Sequence, residues 1–225
     1  MGNYNKWNRD EADNNPNTPI NVVLFVSRNK DNKDLKDFTE RRNAFVTTSS
    51  KEQLQEKFQA FVRQGLPGEM CRMYMSVNPR SNTKTQKALL HQLIDEEYNM
   101  ATIPQRIAAI AARKENAEDS QHLKWLFDFD PVEGYNTEEL STEFIDDILY
   151  YHNNTRTKNG QTRPEINIEA HRTPNGCAII VDQRFDTREL LAKWDNVELK
   201  RDDLLCVAWD KKIDKEKVSR TIWIY

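Results

Sequence analysis

At 225 residues, with 31% charged side chains and a formal net charge of −3, the chain is long enough for one large domain or two small ones. That balance excludes a global basic footprint for nucleic acid, so any such contact must rest on a local patch. No run of about 18 apolar residues exists, which excludes a membrane-spanning helix, and the polar, Asn-rich beginning has no apolar stretch of the signal-peptide kind.

The three cysteines, Cys71, Cys177 and Cys206, each lie in an apolar, strand-like run. Their odd number and wide spacing predict reduced thiols in a cytoplasmic, reducing compartment. None has metal-binding spacing, and the six glycines form no phosphate-cradling loop.

In chain order, residues 1–18 read as a flexible arm. Ile20 to Ser27 is a near-continuous apolar run suited to a buried strand, and Arg28 to Lys36 reads as a solvated charged loop. Ser49 and Ser50 with Glu52 and Gln53 form overlapping capping boxes. They open a helix whose Leu54, Phe58, Phe61 and Val62 share a face, and Gly65 and Pro67-Gly68 end it.

Met70 to Val77 alternates as a second strand. Arg72, Ser76, Asn78 and Arg80 gather polar donors along it and at its exit, where α/β folds favour ligands; an ordinary strand exit with surface arginines is the competing reading. Lys84 to Tyr98 predicts a helix with Ala88, Leu89, Leu93 and Ile94 inward. Pro104 opens another, with Ile107, Ile110 and Ala111 at helical spacing.

Leu123 to Asp130 then reads as an aromatic strand ending in two acids, stopped by Pro131. Asp128 and Asp130 are two apart and share a face on a strand. Unpaired, their like charges are costly to bury. A hard divalent cation is one remedy and serves nucleotidyl transfer; solvation at a strand end is the other. Asn136 with Glu139 caps a helix carrying Leu140, Phe144, Ile145, Ile148 and Leu149. Asn153 to Arg163 is a polar loop. Glu165 to Ala170 alternates, Thr173-Pro174-Asn175-Gly176 turns the chain, and Cys177 to Val181 returns. Asp186 to Trp194 is a short helix, Leu204 to Trp209 a buried strand and Thr221 to Tyr225 a last strand at a sheet edge.

From Leu123 to Trp209 this order is the split βαβ unit of ferredoxin-like and RNA-recognition folds. Leu123–Phe129 is expected to pair with Glu165–Ala170 or Leu204–Trp209. The middle hairpin should bring Glu169, His171, Arg172 and Asn175 near the aspartates, and Asp128 and Asp130 should converge with Arg72 or Arg80 in one cleft. An RNA platform would instead expose Trp125, Phe127 and Phe129.

Trp-Leu-Phe-Asp-Phe-Asp-Pro (125–131), followed by a helix and then Thr-Pro-Asn-Gly-Cys-Ala-Ile-Ile (173–180), resembles the archaeo-eukaryotic primase superfamily, more narrowly its small phage-encoded members. Arg72 to Arg80 is similar to a stretch of such proteins. The resemblance implies an α+β, primase-like fold: an N-terminal α/β unit (19–122) packed on a ferredoxin/RRM-like βαββαβ module (123–225). It also implies nucleotidyl transfer in DNA replication, with Asp128 and Asp130 binding Mg²⁺ or Mn²⁺ and Arg72 and Arg80 holding triphosphate or template phosphate.

Ser76, Asn78, Arg172 and Asn175 join the implied substrate-binding set. The third carboxylate falls to Asp210, with Asp182 second. Implied partners are a nucleoside triphosphate, single-stranded nucleic acid and a host or replication protein, in the host cytoplasm. The chain departs from the family at Ala178, where a His would contact the nucleotide. Either His171 or Arg172 substitutes for it, or the fold survives as an inactive binding module for nucleotide, nucleic acid or a host protein.

Overall fold

The apolar run after Ile20 forms strand β1 (Asn21–Ser27), with Val23 and Phe25 buried. A strand the sequence did not announce, β2 (Arg41–Thr47), runs antiparallel to it from Asn21↔Thr47 to Ser27↔Arg41. Helix α1 (Lys51–Arg63) opens on a true capping box, in which Ser50 and Gln53 each bind the other's backbone N–H. It buries Leu54, Phe58, Phe61 and Val62, as its spacing predicts.

Strand β3 (Met70–Ser76) pairs with β1 and turns Cys71 and Met73 into the core. Helices α2 (Asn82–Asp95) and α3 (Ile103–Ala111) follow. The expected inward face of α2 forms only in part: Ala88 and Leu89 are half-buried, whereas Leu93 and Ile94 are exposed and Thr85 is the one buried residue of the helix. The described residues are 15–97, 99–154 and 164–212, with the backbone of 222–223, in a computed structural model of the chain. The expected arm therefore lies almost wholly outside them, as does most of the 153–163 loop.

The second unit comprises β4 (Trp125–Phe129), α4 (Thr137–Asn154), β5 (Ile168–Arg172), β6 (Cys177–Val181), α5 (Arg188–Lys193) and β7 (Val197–Arg201). Its antiparallel sheet has the order β5-β6-β4-β7, the order of a split βαβ unit. Trp125, Phe127 and Phe129 point to the helix side. Phe127 and Phe129 are buried with Phe144 and Ile148 of α4 and with Leu190 and Trp194. Phe127 and Phe129 are core and Trp125 is half-buried against them, so these three aromatics do not form an exposed platform.

One expected pairing is corrected here. β4 is bonded to β6 and β7, not to the 165–170 or 204–209 strands. Strand β7 was missed, and the run assigned its place, β8 (Leu204–Lys211), pairs with β3 from Met70↔Lys211 to Ser76↔Leu204. With β9 (Ile222–Trp223) at its edge, the first sheet has the antiparallel order β2-β1-β3-β8-β9. The fold is thus α+β with two antiparallel sheets, and residues 204–211 belong to the first. The face of the second sheet away from its helices sets Leu126, Ala178 and Ile180 into one core with Val23, Phe58, Met73 and Val207.

The 28–36 segment is solvated at Asn29, Lys30, Lys33, Asp34 and Lys36, but it is anchored at Asp31 and Asn32. Asp31 accepts hydrogen bonds from Arg28 Nε at 3.0 Å and from Arg72 Nη2 at 2.5 Å, and Asn32 is buried against the start of β3. Burial pushes the Asp31 carboxyl up, but the bonds from Arg28 and Arg72 outweigh it and hold it below its ordinary value. A group depressed in the folded state stabilises the fold above its unfolded value of about 3.9, and that contribution is lost as pH falls through the folded value. Urea midpoints should therefore drop steeply as pH falls from about 5 toward 2. Asp31→Asn should be less stable at pH 7 and show a shallower acid limb; an unchanged limb would assign the acid loss to other carboxylates.

Candidate functional site

Residues directly opposite each other on neighbouring strands share a face. The registers His171↔Ala178, Ala178↔Asp128 and Asp128↔Glu198 therefore lay four side chains in one row across the second sheet. His171 is two strands from Asp128, about 10 Å at ~4.8 Å per strand. Ala178 itself is buried in the shared core. The His171 side chain is only 13% exposed, and its Nε2 lies 3.4 Å from Glu169 Oε2. Glu169 in turn holds Lys124 Nζ at 2.9 Å.

The charge on Asp128 has a built-in partner. Lys200 Nζ donates to Asp128 Oδ2 at 2.6 Å and stands 3.8 Å from Glu198 Oε2. Burial pulls the Lys200 ammonium down, and the bond and charge of Asp128 carry it above its ordinary value. Asp130 is exposed just past β4, where its backbone N–H donates to Asn196 O and its carbonyl accepts from Asn196 Nδ2. Among the described residues no three His, Cys, Asp or Glu side chains gather as ion ligands. One oxygen of Asp128 is thus taken by an ammonium rather than left open.

The other expected site residues are placed as follows. Arg72 is buried against Asp31. Arg72 and Asp128 both act on the Cys206 thiol, which burial above all pushes up to about 12, so the two share an electrostatic neighbourhood without touching. Arg80, 1% exposed, is bidentate to Asp202 at 2.8 Å through both Nη atoms. Asn78 bonds Asp202 and the Lys124 carbonyl, just before β4. Lys124 is four residues before Asp128, about 13 Å along a strand, so Asn78 meets the second sheet at the end of β4 away from the acids. Ser76 Oγ accepts from Val22 N. Asp210 lies on β8 opposite Cys71 and accepts from Gln59 Nε2 at 2.8 Å, which ties it to the first sheet. Asp182 caps the start of the 167 strand through both Asn167 nitrogens.

Two expected side chains do come together. Arg172 and Asn175 line a cleft of about 770 Å³ between the β5–β6 hairpin and the first turn of α4; His171 borders it, but its side chain lies in the row on the opposite face of the sheet. Tyr135, Glu138 and Thr173 complete its working surface. Asn136 caps α4 by accepting from Glu138 N, which fixes the α4 wall. The hairpin is closed by Thr173 N donating to Gly176 O and Gly176 N to Thr173 Oγ1. Tyr135 is 66% exposed, and Arg172 is exposed on the hairpin wall.

Sequence reasoning missed Lys200, Glu198 and Tyr135. The first two had a signal: Val197-Glu198-Leu199-Lys200 alternates as a half-buried strand does. Comparison with protein-family profiles, with curated proteins and with solved structures found no match to this chain.

Proposed function

We propose that this chain is a binding module for single-stranded nucleic acid, built on a primase-like frame and without nucleotidyl transfer. The observation that carries this reading is the hairpin cleft, where an exposed tyrosine, an arginine and the polar side chains of Thr173 and Asn175 line one concave surface. Each type has a task there. A phenol ring offers a stacking surface for a base, a guanidinium pairs with a phosphate, and an amide and hydroxyl bond base edges or sugar. The acid row supports the non-catalytic half of the reading. Asp128 is neutralised by Lys200, and the donor that the family pattern calls for is the buried Ala178.

The test is fluorescence anisotropy of a labelled oligothymidylate of about ten nucleotides, a length on the scale of one such surface. Tyr135→Ala is expected to weaken binding by the worth of one stacked base, about 1–3 kcal/mol. Arg172→Ala should weaken it and flatten its salt dependence, while Asp128→Asn should bind as the wild type does. Nucleotide incorporation in Mg²⁺ or Mn²⁺ that disappears in Asp128→Asn would overturn this reading in favour of a primase-like enzyme.

A further inference from the structure

We propose that Glu138 makes the hairpin cleft selective for guanine among the bases of a single strand. The inference rests on the reading of that cleft as an oligonucleotide site and names what the site prefers. The cleft carries one cation and one anion, Arg172 on the hairpin wall and Glu138 on the first turn of α4. Both are exposed. Yet they do not pair with each other, and among the described residues neither side chain has a hydrogen-bond or ion-pair partner.

The place of Glu138 in α4 is held by its backbone. Its N–H donates to Asn136 Oδ1 at 3.0 Å, and its carbonyl accepts from Ser141 Oγ and Thr142 Oγ1 at 2.9 Å each. Two acids open α4, and an acid there complements the helix dipole. Glu139 serves that end without lining the cleft, whereas Glu138 lines it.

A carboxylate in a nucleic-acid cleft repels phosphate, so what it faces must carry N–H donors. It accepts through two oxygens side by side. Guanine presents two donors side by side on its Watson–Crick edge, N1–H and the 2-amino group, and matches both oxygens. Adenine and cytosine each set an amino group beside a bare ring nitrogen, whose lone pair meets the second oxygen. Thymine has one N–H between two carbonyls. Asn175, on the other wall, offers the amide donor that guanine O6 requires. Stacking on Tyr135 is indifferent to the base, so the choice falls to these edge readers. A nucleotide also spans the two charges, with its phosphate for Arg172 and its base edge for Glu138.

Anisotropy with a labelled ten-nucleotide oligothymidylate, and with the same strand carrying one central guanine, tests this. The guanine strand should bind about tenfold more tightly, the worth of one good bidentate base contact. A central adenine or cytosine should bind less tightly than guanine. Hypoxanthine in place of guanine keeps N1–H and lacks the 2-amino group, so it should lose most of the gain with the protein untouched. Glu138→Gln should bring the guanine and thymine strands to within about twofold of each other. It should also bind oligothymidylate more tightly than the wild type, because a charge that repels phosphate is gone. Equal affinity for all central bases, or a guanine preference that survives Glu138→Gln, would overturn this inference and leave the cleft as an oligonucleotide site. Failure of every strand to bind would overturn both.

Discussion

Asp202→Ala is expected to destabilise the protein by about 3–5 kcal/mol, the cost of leaving a buried charge uncompensated. Arg80 is 1% exposed, both its Nη atoms are bound to Asp202, and its Nε has no partner. No other described carboxylate is paired with it. The loss would not stay local. The Arg80 backbone holds Ile20 through two hydrogen bonds, at 2.7 and 2.9 Å, and Asn78 bonds both Asp202 and the chain entering β4. The pair thus joins the exit of β3, the turn between β7 and β8, and the starts of β1 and β4. Against a total stability of about 5–15 kcal/mol, such a loss shows plainly in the urea midpoint at pH 7. Replacing both partners together, Arg80→Met with Asp202→Leu, should cost far less, because no charge is left buried. A single variant within 1 kcal/mol of wild type would mean that water reaches Arg80.

Gly176→Ala is the second large effect. The Asn-Gly sequence suggests a turn glycine chosen for a left-handed backbone, but the described glycines with positive φ are Gly68 and Gly134. Gly176 is needed for room. A Cβ there would lie 2.2 Å from the Phe129 carbonyl oxygen and 3.2 Å from Pro131 Cδ. Backbone cannot swing aside as a side chain can, and β4 is held by strands on both sides. The hairpin must move off the end of β4, at a cost of about 1–3 kcal/mol or more. The cleft it walls should lose its oligothymidylate affinity with it. Gly134→Ala is the comparison: its φ of +83° strains any side chain, yet nothing lies within 4 Å. It should cost about 1–2 kcal/mol and leave the hairpin in place. Thermal melts and anisotropy on the two variants separate crowding from backbone strain.

What could be read in the sequence was local. The Ser50 box, the α1 stripe, the alternation of β3 and the order of elements around β4 all rest on neighbours a few residues apart. The misses share a cause. β2 begins Arg41-Arg42-Asn43 and is half covered, so no apolar period marks it. β7 alternates, but Glu198 and Lys200 make it look like surface. β8 is apolar enough to fit either sheet, and only pairing energetics decides that it lies beside β3. The aspartate pair was legible as a motif, whereas its neutraliser was not, because a charge's partner depends on which strands become neighbours. Arg72 and Arg80 show the same thing from the other side. They stood out as free donors, and Asp31 and Asp202, placed in connecting segments, account for both.

The return of β8 to the first sheet also sets an order of manufacture. As the chain leaves the ribosome, β1, β2, α1 and β3 are available early, but the strand that covers the far side of β3 comes only after the whole second sheet. Cys71 waits for Asp210 and Met73 for Ala208. Until then the growing chain offers a bare strand edge, with two side chains that are fully buried in the finished molecule. Closing so long a loop is slow, and an open edge with apolar neighbours is what sticks to other chains. A chain ending before β8 is therefore expected to aggregate more readily than the full chain.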